Sequence, residues 1–83
     1  MRHARADALD QLEPMLADLR SVDGLTERSR GVFYRGGRAF LHFHEDPSGL
    51  HADVRLTDDF ERHRVQTRAE QRAVVTLVKG VVA

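Results

Sequence analysis

Cysteine does not occur in this chain. Its absence excludes disulfides, thiolate zinc fingers, iron–sulfur clusters and thiol nucleophiles, so any metal has to sit on His, Asp or Glu. Net charge is missing too: 13 Lys plus Arg balance 13 Asp plus Glu. No block of one sign exceeds a few residues, which disfavours long-range steering of nucleic acid. Isoleucine and asparagine are absent, and a single lysine, Lys79, stands against a dominant arginine content. That bias reads as GC-rich bacterial coding and says little about mechanism. The start MRHARADALDQLEP is too polar for the apolar region of a signal peptide, and no apolar run approaches a membrane span. The expectation is a cytoplasmic protein without a membrane partner. Catalytic signatures are lacking as well. No strand-to-helix elbow surrounds Ser21, Ser29 or Ser48, and Gly36-Gly37 reads as a hairpin turn rather than a phosphate loop. Asp58, Asp59 and Glu61 read as a solvated turn. An enzyme is the least supported class.

What remains is a chain of 83 residues, enough for one domain (1–83) and close to the size at which one hydrophobic core needs help from a partner or ligand. Ala8, Leu12, Met15, Leu16 and Leu19 recur at helical spacing. Pro14 either kinks that helix or opens one beginning near Glu13, after a turn or short helix over Asp7 to Leu12. The stretch VDGLTERSRG reads as a loop capped at Gly24. Next come two turn signals, Gly36-Gly37 and Asp46-Pro47-Ser48-Gly49, which set three antiparallel strands in a meander, with a short fourth around Phe60 to Val65. Thr67-Arg-Ala-Glu70 is a capping box opening a helix with the stripe Ala73, Val74, Leu77 and Val78. Gly80 ends it, leaving VVA to pack back or to be a cut end. The expected fold is α+β in two layers: an antiparallel three- to four-stranded meander with an N-terminal and a C-terminal helix on one face.

The Gly-Gly turn pairs Arg35 with Arg38 and, by regular continuation, Phe33 with Phe40. Val32, Tyr34, Ala39, Leu41 and Phe43 then form the helix-covered face. Phe33, Arg35, Arg38, Phe40, His42 and His44 take the open one. Two registers compete in the second hairpin. In the first, His44 faces His51 and His42 faces Asp53, so three histidines and a carboxylate share the open face with Arg55. In the second, a glycine bulge sets Glu45 opposite His51 and sends His51, Asp53 and Arg55 toward the core. Burying three titratable groups costs more than an imperfect turn, which favours the first.

Two surfaces follow from that register. His42, His44, His51 and Asp53 offer three imidazoles and one carboxylate; the two histidines on β-alternation lie about 7 Å apart, and the donor set suits zinc or a similar divalent ion. The competing reading is a wet strand face that tolerates histidine. Phe33 and Phe40 flanked by Arg35, Arg38 and Arg55 form the second surface, an aromatic-plus-arginine face. It suits a protein partner or a homo-oligomer seam, and less well the stacking of single-stranded bases. The balanced charge and the neighbouring Glu45, Asp46 and Asp53 speak against nucleic acid. His3 and His63 read as surface residues. The favoured function is a small non-enzymatic binding module acting through that face, with metal binding and nucleic-acid binding as alternatives.

The stretch GVFYRGGRAFLHFHEDPSGLHADVRLTDDFE resembles small uncharacterised bacterial proteins and, loosely, those of the MmcQ/YjbR type, in which an aromatic-rich strand, a Gly-plus-basic turn and a second strand begin an antiparallel sheet beside helices. The resemblance covers the middle third to half of the chain. It implies a helix-flanked sheet, DNA contact through that sheet and no assigned catalytic activity. His-Phe-His-Glu has no counterpart in the family's pattern, so no binding residue carries over.

Overall fold

A computed structural model describes the backbone of residues 2–83 and the side chains from His3 onward. The order is β1 (Arg2–His3), α1 (Ala6–Gln11), α2 (Glu13–Arg20), β2 (Leu25–Ser29), β3 (Val32–Arg35), β4 (Arg38–Asp46), β5 (Gly49–Arg55), β6 (Phe60–Arg64) and α3 (Arg68–Val82). It is the α+β arrangement expected. Strands β2 to β6 form a consecutive antiparallel meander, and β1 adds to β4. Because β4 is nine residues long, its first half pairs with β3, while His44 and Glu45 pair with His3 and Arg2. The helices bury Leu12, Met15, Leu16 and Leu19 together with Val74, Val75 and Val78 against Phe33, Leu41, Phe43, Leu50, Ala52 and Val54.

Pro14 sits in the first turn of α2, where its missing N–H has no intrahelical partner to lose. The chain therefore breaks into two short helices at Leu12 rather than bending one. Strand β2 occupies the stretch read as a loop. LTERS shows no apolar alternation, and the strand is stabilised from outside its own sequence. Leu25 packs on the core, and Glu27 accepts hydrogen bonds from Arg20 of α2 at 2.6 and 3.1 Å. At the turn that follows, Gly31 has φ +79°, and a Cβ there would come within 2.7 Å of Leu9 Cδ2. The left-handed backbone and the close approach of Leu9 together favour glycine there.

The first hairpin corrects the expected faces. Arg35 does pair with Arg38 and Tyr34 with Ala39, but Phe33 pairs with Leu41, so Phe40 is the extra residue of a bulge. One inserted residue reverses the alternation beyond it. Phe33 consequently joins Leu41 and Phe43 on the helix-covered face at 1 % exposure, while Phe40 is itself buried at 2 %. Val32 and Tyr34, expected in the core, are only half-buried. Burying a phenylalanine side chain is worth about 1.5–3 kcal/mol, more than the ladder bond a bulge disrupts. Regular pairing would have left both rings on the outside.

The second hairpin takes the register that keeps titratable groups out of the core: His42 opposite Asp53, His44 opposite His51, Glu45 opposite Leu50 and Asp46 opposite Gly49. Asp46 Oδ1 accepts from Ser48 N and Oγ at 2.8 and 2.5 Å, which closes the turn. In α3 both halves of the capping box form, with Thr67 N donating to Glu70 Oε1 and Glu70 N to Thr67 Oγ1. The buried stripe is Gln71, Val74, Val75 and Val78; Leu77, expected within it, is 44 % exposed. Gly80 does not stop the helix, which continues to Val82. Among the described residues no helix is long and apolar enough to cross a membrane.

Candidate metal centre on the uncovered sheet face

All helices pack on one side, so the other side of the sheet keeps the residues that alternate away from the core. Directly opposed residues in antiparallel pairs point to the same face. Pairing therefore lays out two rows across that face, His3–His44–His51–Arg64 and His42–Asp53–Arg62, with Arg55 opposite Phe60 beyond them.

Within these rows three imidazoles converge. The His3 and His44 rings stack at a centroid distance of 4.8 Å, and His42 meets His44 edge-on at the same distance. One ligand nitrogen from each of His3, His42 and His44 lies within 4.8 Å of the others. His42 Nδ1 is 2.9 Å from His44 Nε2, and Asp53 Oδ2 is 3.1 Å from that same His44 nitrogen. The His42–His44 contact sets one proton between two ring nitrogens, the tautomer deciding which of them donates, with the Asp53 carboxylate, which can only accept, beside it. Tetrahedral zinc with bonds of 2.0–2.1 Å separates its ligands by about 3.3–3.4 Å. The close pair thus has to open by only a few tenths of an ångström to take an ion in place of that proton.

The surroundings set the charge state. Burial holds His42 below its ordinary imidazole pKa, and the neighbouring His44 adds to the effect while Asp53 opposes it. A neutral imidazole is the ligand-competent form. Asp53, 8 % exposed, is clamped by Arg62 through Nε at 2.7 Å and NH2 at 2.8 Å. That bidentate pair, more than burial opposes it, holds the carboxyl below its usual range. That fixed carboxylate lies beside the His44 nitrogen that faces His42, where its oxygen can join the imidazoles in holding the same ion. Phe60, with its ring centroid 4.9 Å from that of His42, shields one side.

The expected set is therefore met in part. His42, His44 and Asp53 come together. His51 shares their face but turns away, its Nδ1 3.9 Å from Asp46 Oδ2 and its Nε2 3.5 Å from Ser48 Oγ. The third imidazole is instead His3, read from the sequence as a bystander. No local pattern marks a two-residue strand; the one available signal was the overall histidine count of 5. His63, paired with Ala52, lies on the opposite side of the sheet and takes no part.

The aromatic-plus-arginine surface changes more. Phe33 and Phe40 are core residues, so the exposed apolar seam they were expected to form does not exist. Phe60 is the aromatic residue this face presents, at 37 % exposure, with the Arg55 guanidinium 4.3 Å from its ring centroid. Arg35, Arg38, Phe40 and Arg55 do meet, as the lining of a surface pocket at the first hairpin. No family model, curated protein or solved structure matches this chain. The likeness to MmcQ/YjbR-type proteins rests on its hairpin pattern alone.

Proposed function

We propose that this chain is a small binding module, not an enzyme, whose uncovered sheet face holds a divalent transition ion of the zinc class through His3, His42 and His44. The observation that carries this reading is the convergence of three imidazole nitrogens from two strands within 4.8 Å. Three nitrogens leave a fourth position for Asp53 Oδ2 or for water, a donor set suited to zinc, copper(II) or nickel(II). Such an ion would also tie the short β1 to β4, and binding to the folded state alone stabilises it by about 2.7 kcal/mol when the free metal is 100-fold above Kd. Calorimetric titration with zinc tests the reading. It expects one site per chain, lost in His42→Ala and in His44→Ala and weakened in His3→Ala. Equal zinc affinity in all three variants and the parent would end it.

A contact role remains as a second reading, supported by Phe60 and Arg55 in place of Phe33 and Phe40. Its partner would be a protein, first of all a second copy of the chain, or less favourably an unpaired base. Sedimentation equilibrium at two concentrations decides it: self-association that Phe60→Ala abolishes supports contact, and a monomer at high micromolar concentration removes self-association.

A further inference from the structure

The turn at Gly36-Gly37 has φ +56° and +81°, the two left-handed positions that a tight hairpin turn with the strands' own twist requires. That geometry sets Arg35 and Arg38 directly opposite each other. Two like charges in that position destabilise a hairpin unless something neutralises them, and a third cation is added rather than an anion. Arg35, Arg38 and Arg55 line one surface pocket of about 280 Å³, with Phe40 and Thr57 among the other lining residues and no carboxylate among them.

Five arginines elsewhere in this neutral chain stand near acids. Arg20 pairs with Glu13 and Glu27, Arg30 with Asp10 and Glu13, and Arg62 with Asp53; Arg64 and Arg68 stand near Glu70 and Asp18. Among the described residues none of the three pocket arginines has such a partner. Arg55 is also held in place. Its Nε donates to the Ala39 carbonyl at 2.9 Å, its NH1 to the Asp58 carbonyl at 2.7 Å, and its guanidinium lies over Phe60. A guanidinium fixed by two backbone acceptors keeps its remaining N–H edge for a ligand without a further ordering cost. Arg35 and Arg38 are exposed, and the Arg35 guanidinium stands 6.0 Å from the Phe40 ring centroid on the pocket wall.

We propose that this pocket binds the phosphoryl group of a small ligand. Guanidinium forks match tetrahedral and planar oxyanions alike, but three of them around one pocket suit a dianion better than a single carboxylate. The volume lies at the lower end for ligand sites. It accommodates phosphate, pyrophosphate or the phosphate end of a small molecule, with the Thr57 hydroxyl as a further donor from the wall. None of these residues belongs to the histidine centre, so the two proposals stand or fall separately.

The test is an NMR titration of the metal-free protein with inorganic phosphate and with pyrophosphate, against acetate and against sodium chloride at matched ionic strength. Saturable shifts are expected at the amides of Gly36, Arg38 and Thr57 and at the Arg55 side chain, tighter for pyrophosphate than for phosphate. Loss of one charge-assisted contact should weaken binding about tenfold in Arg35→Gln and in Arg38→Gln, two exposed positions whose replacement leaves the fold intact by its amide spectrum. Arg72→Gln, on an exposed face of α3, should bind as the parent does. The proposal is overturned if sodium chloride reproduces the shifts, if acetate binds as tightly as phosphate, or if neither glutamine variant binds more weakly.

Discussion

At the residue scale the site turns on His42 and Asp53, paired across β4 and β5 yet shifted for different reasons. His42 is held below its ordinary pKa by burial first and by His44 second. Its folded pKa lies below the unfolded value, so the unfolded chain binds the proton more readily. The resulting stability is complete above the ordinary imidazole range and is lost as pH falls through that range toward the folded pKa, below which both states are protonated. A histidine NMR titration should therefore place the His42 midpoint below 6.5, its ordinary value, and zinc binding should fade over the same acid limb as protons compete for the ring. A midpoint above 6.5 would contradict the assigned burial. Asp53 is depressed chiefly by its hydrogen bonds to Arg62, so its contribution is present above the ordinary carboxyl pKa and lost as pH drops through the folded one. Asp53→Asn removes the charge from a bidentate pair whose arginine is 44 % exposed and can return to water. The expected cost is about 1–2 kcal/mol in urea unfolding, together with weaker zinc affinity because the carboxylate charge beside the ligand nitrogens is gone.

At the scale of elements, legibility followed the physics of each signal. The capping box at Thr67, the Gly-Gly turn and Pro14 are local devices whose effect does not depend on distant residues, and each was readable where it stands. Thr67→Ala should cost about 1 kcal/mol by thermal or chemical unfolding. Gly37 has open space where a Cβ would go, so Gly37→Ala reports the left-handed backbone alone, about 1–2 kcal/mol. A neutral result would mean that the turn has another conformation. Strands β1 and β2 were not readable. Glu27 is held by an arginine from α2, and β1 is held by the edge that the long β4 offers, neither of which has a local sequence trace. The bulge at Phe40 was hidden for a related reason: regular pairing satisfies the turn, and only the demand of the core for Phe33 displaces it. Because the second hairpin register was decided by where charge can be buried, His42, His44 and Asp53 were found. His3 was not, since it arrives on β1. The strand gives its own test. Ala4 N–H donates to the Phe43 carbonyl at 3.1 Å, beside His3, so zinc should slow its hydrogen exchange and His3→Ala should abolish that protection. Unchanged exchange with zinc bound would show that His3 is not a ligand.

For the whole molecule, two short helices and α3 cover one face of the sheet and leave the other to histidine, arginine, aspartate and one exposed phenylalanine. A domain of this size gains little from its core beyond what chain ordering costs, and a ligand that ties the two-residue β1 to the sheet adds to its stability. The uncovered face then has a division of labour along its strands: imidazoles near the β1 end, and Phe60 with Arg55 beyond them. The most direct measurement is a zinc titration followed through the imidazole nitrogens by long-range proton–nitrogen NMR, which reads all 5 histidines in one sample. The account predicts saturation at one equivalent, with the ring nitrogens of His3, His42 and His44 shifted and those of His51 and His63 unmoved. Weak, unsaturable shifts shared by every histidine, or a response centred on His51, would contradict it.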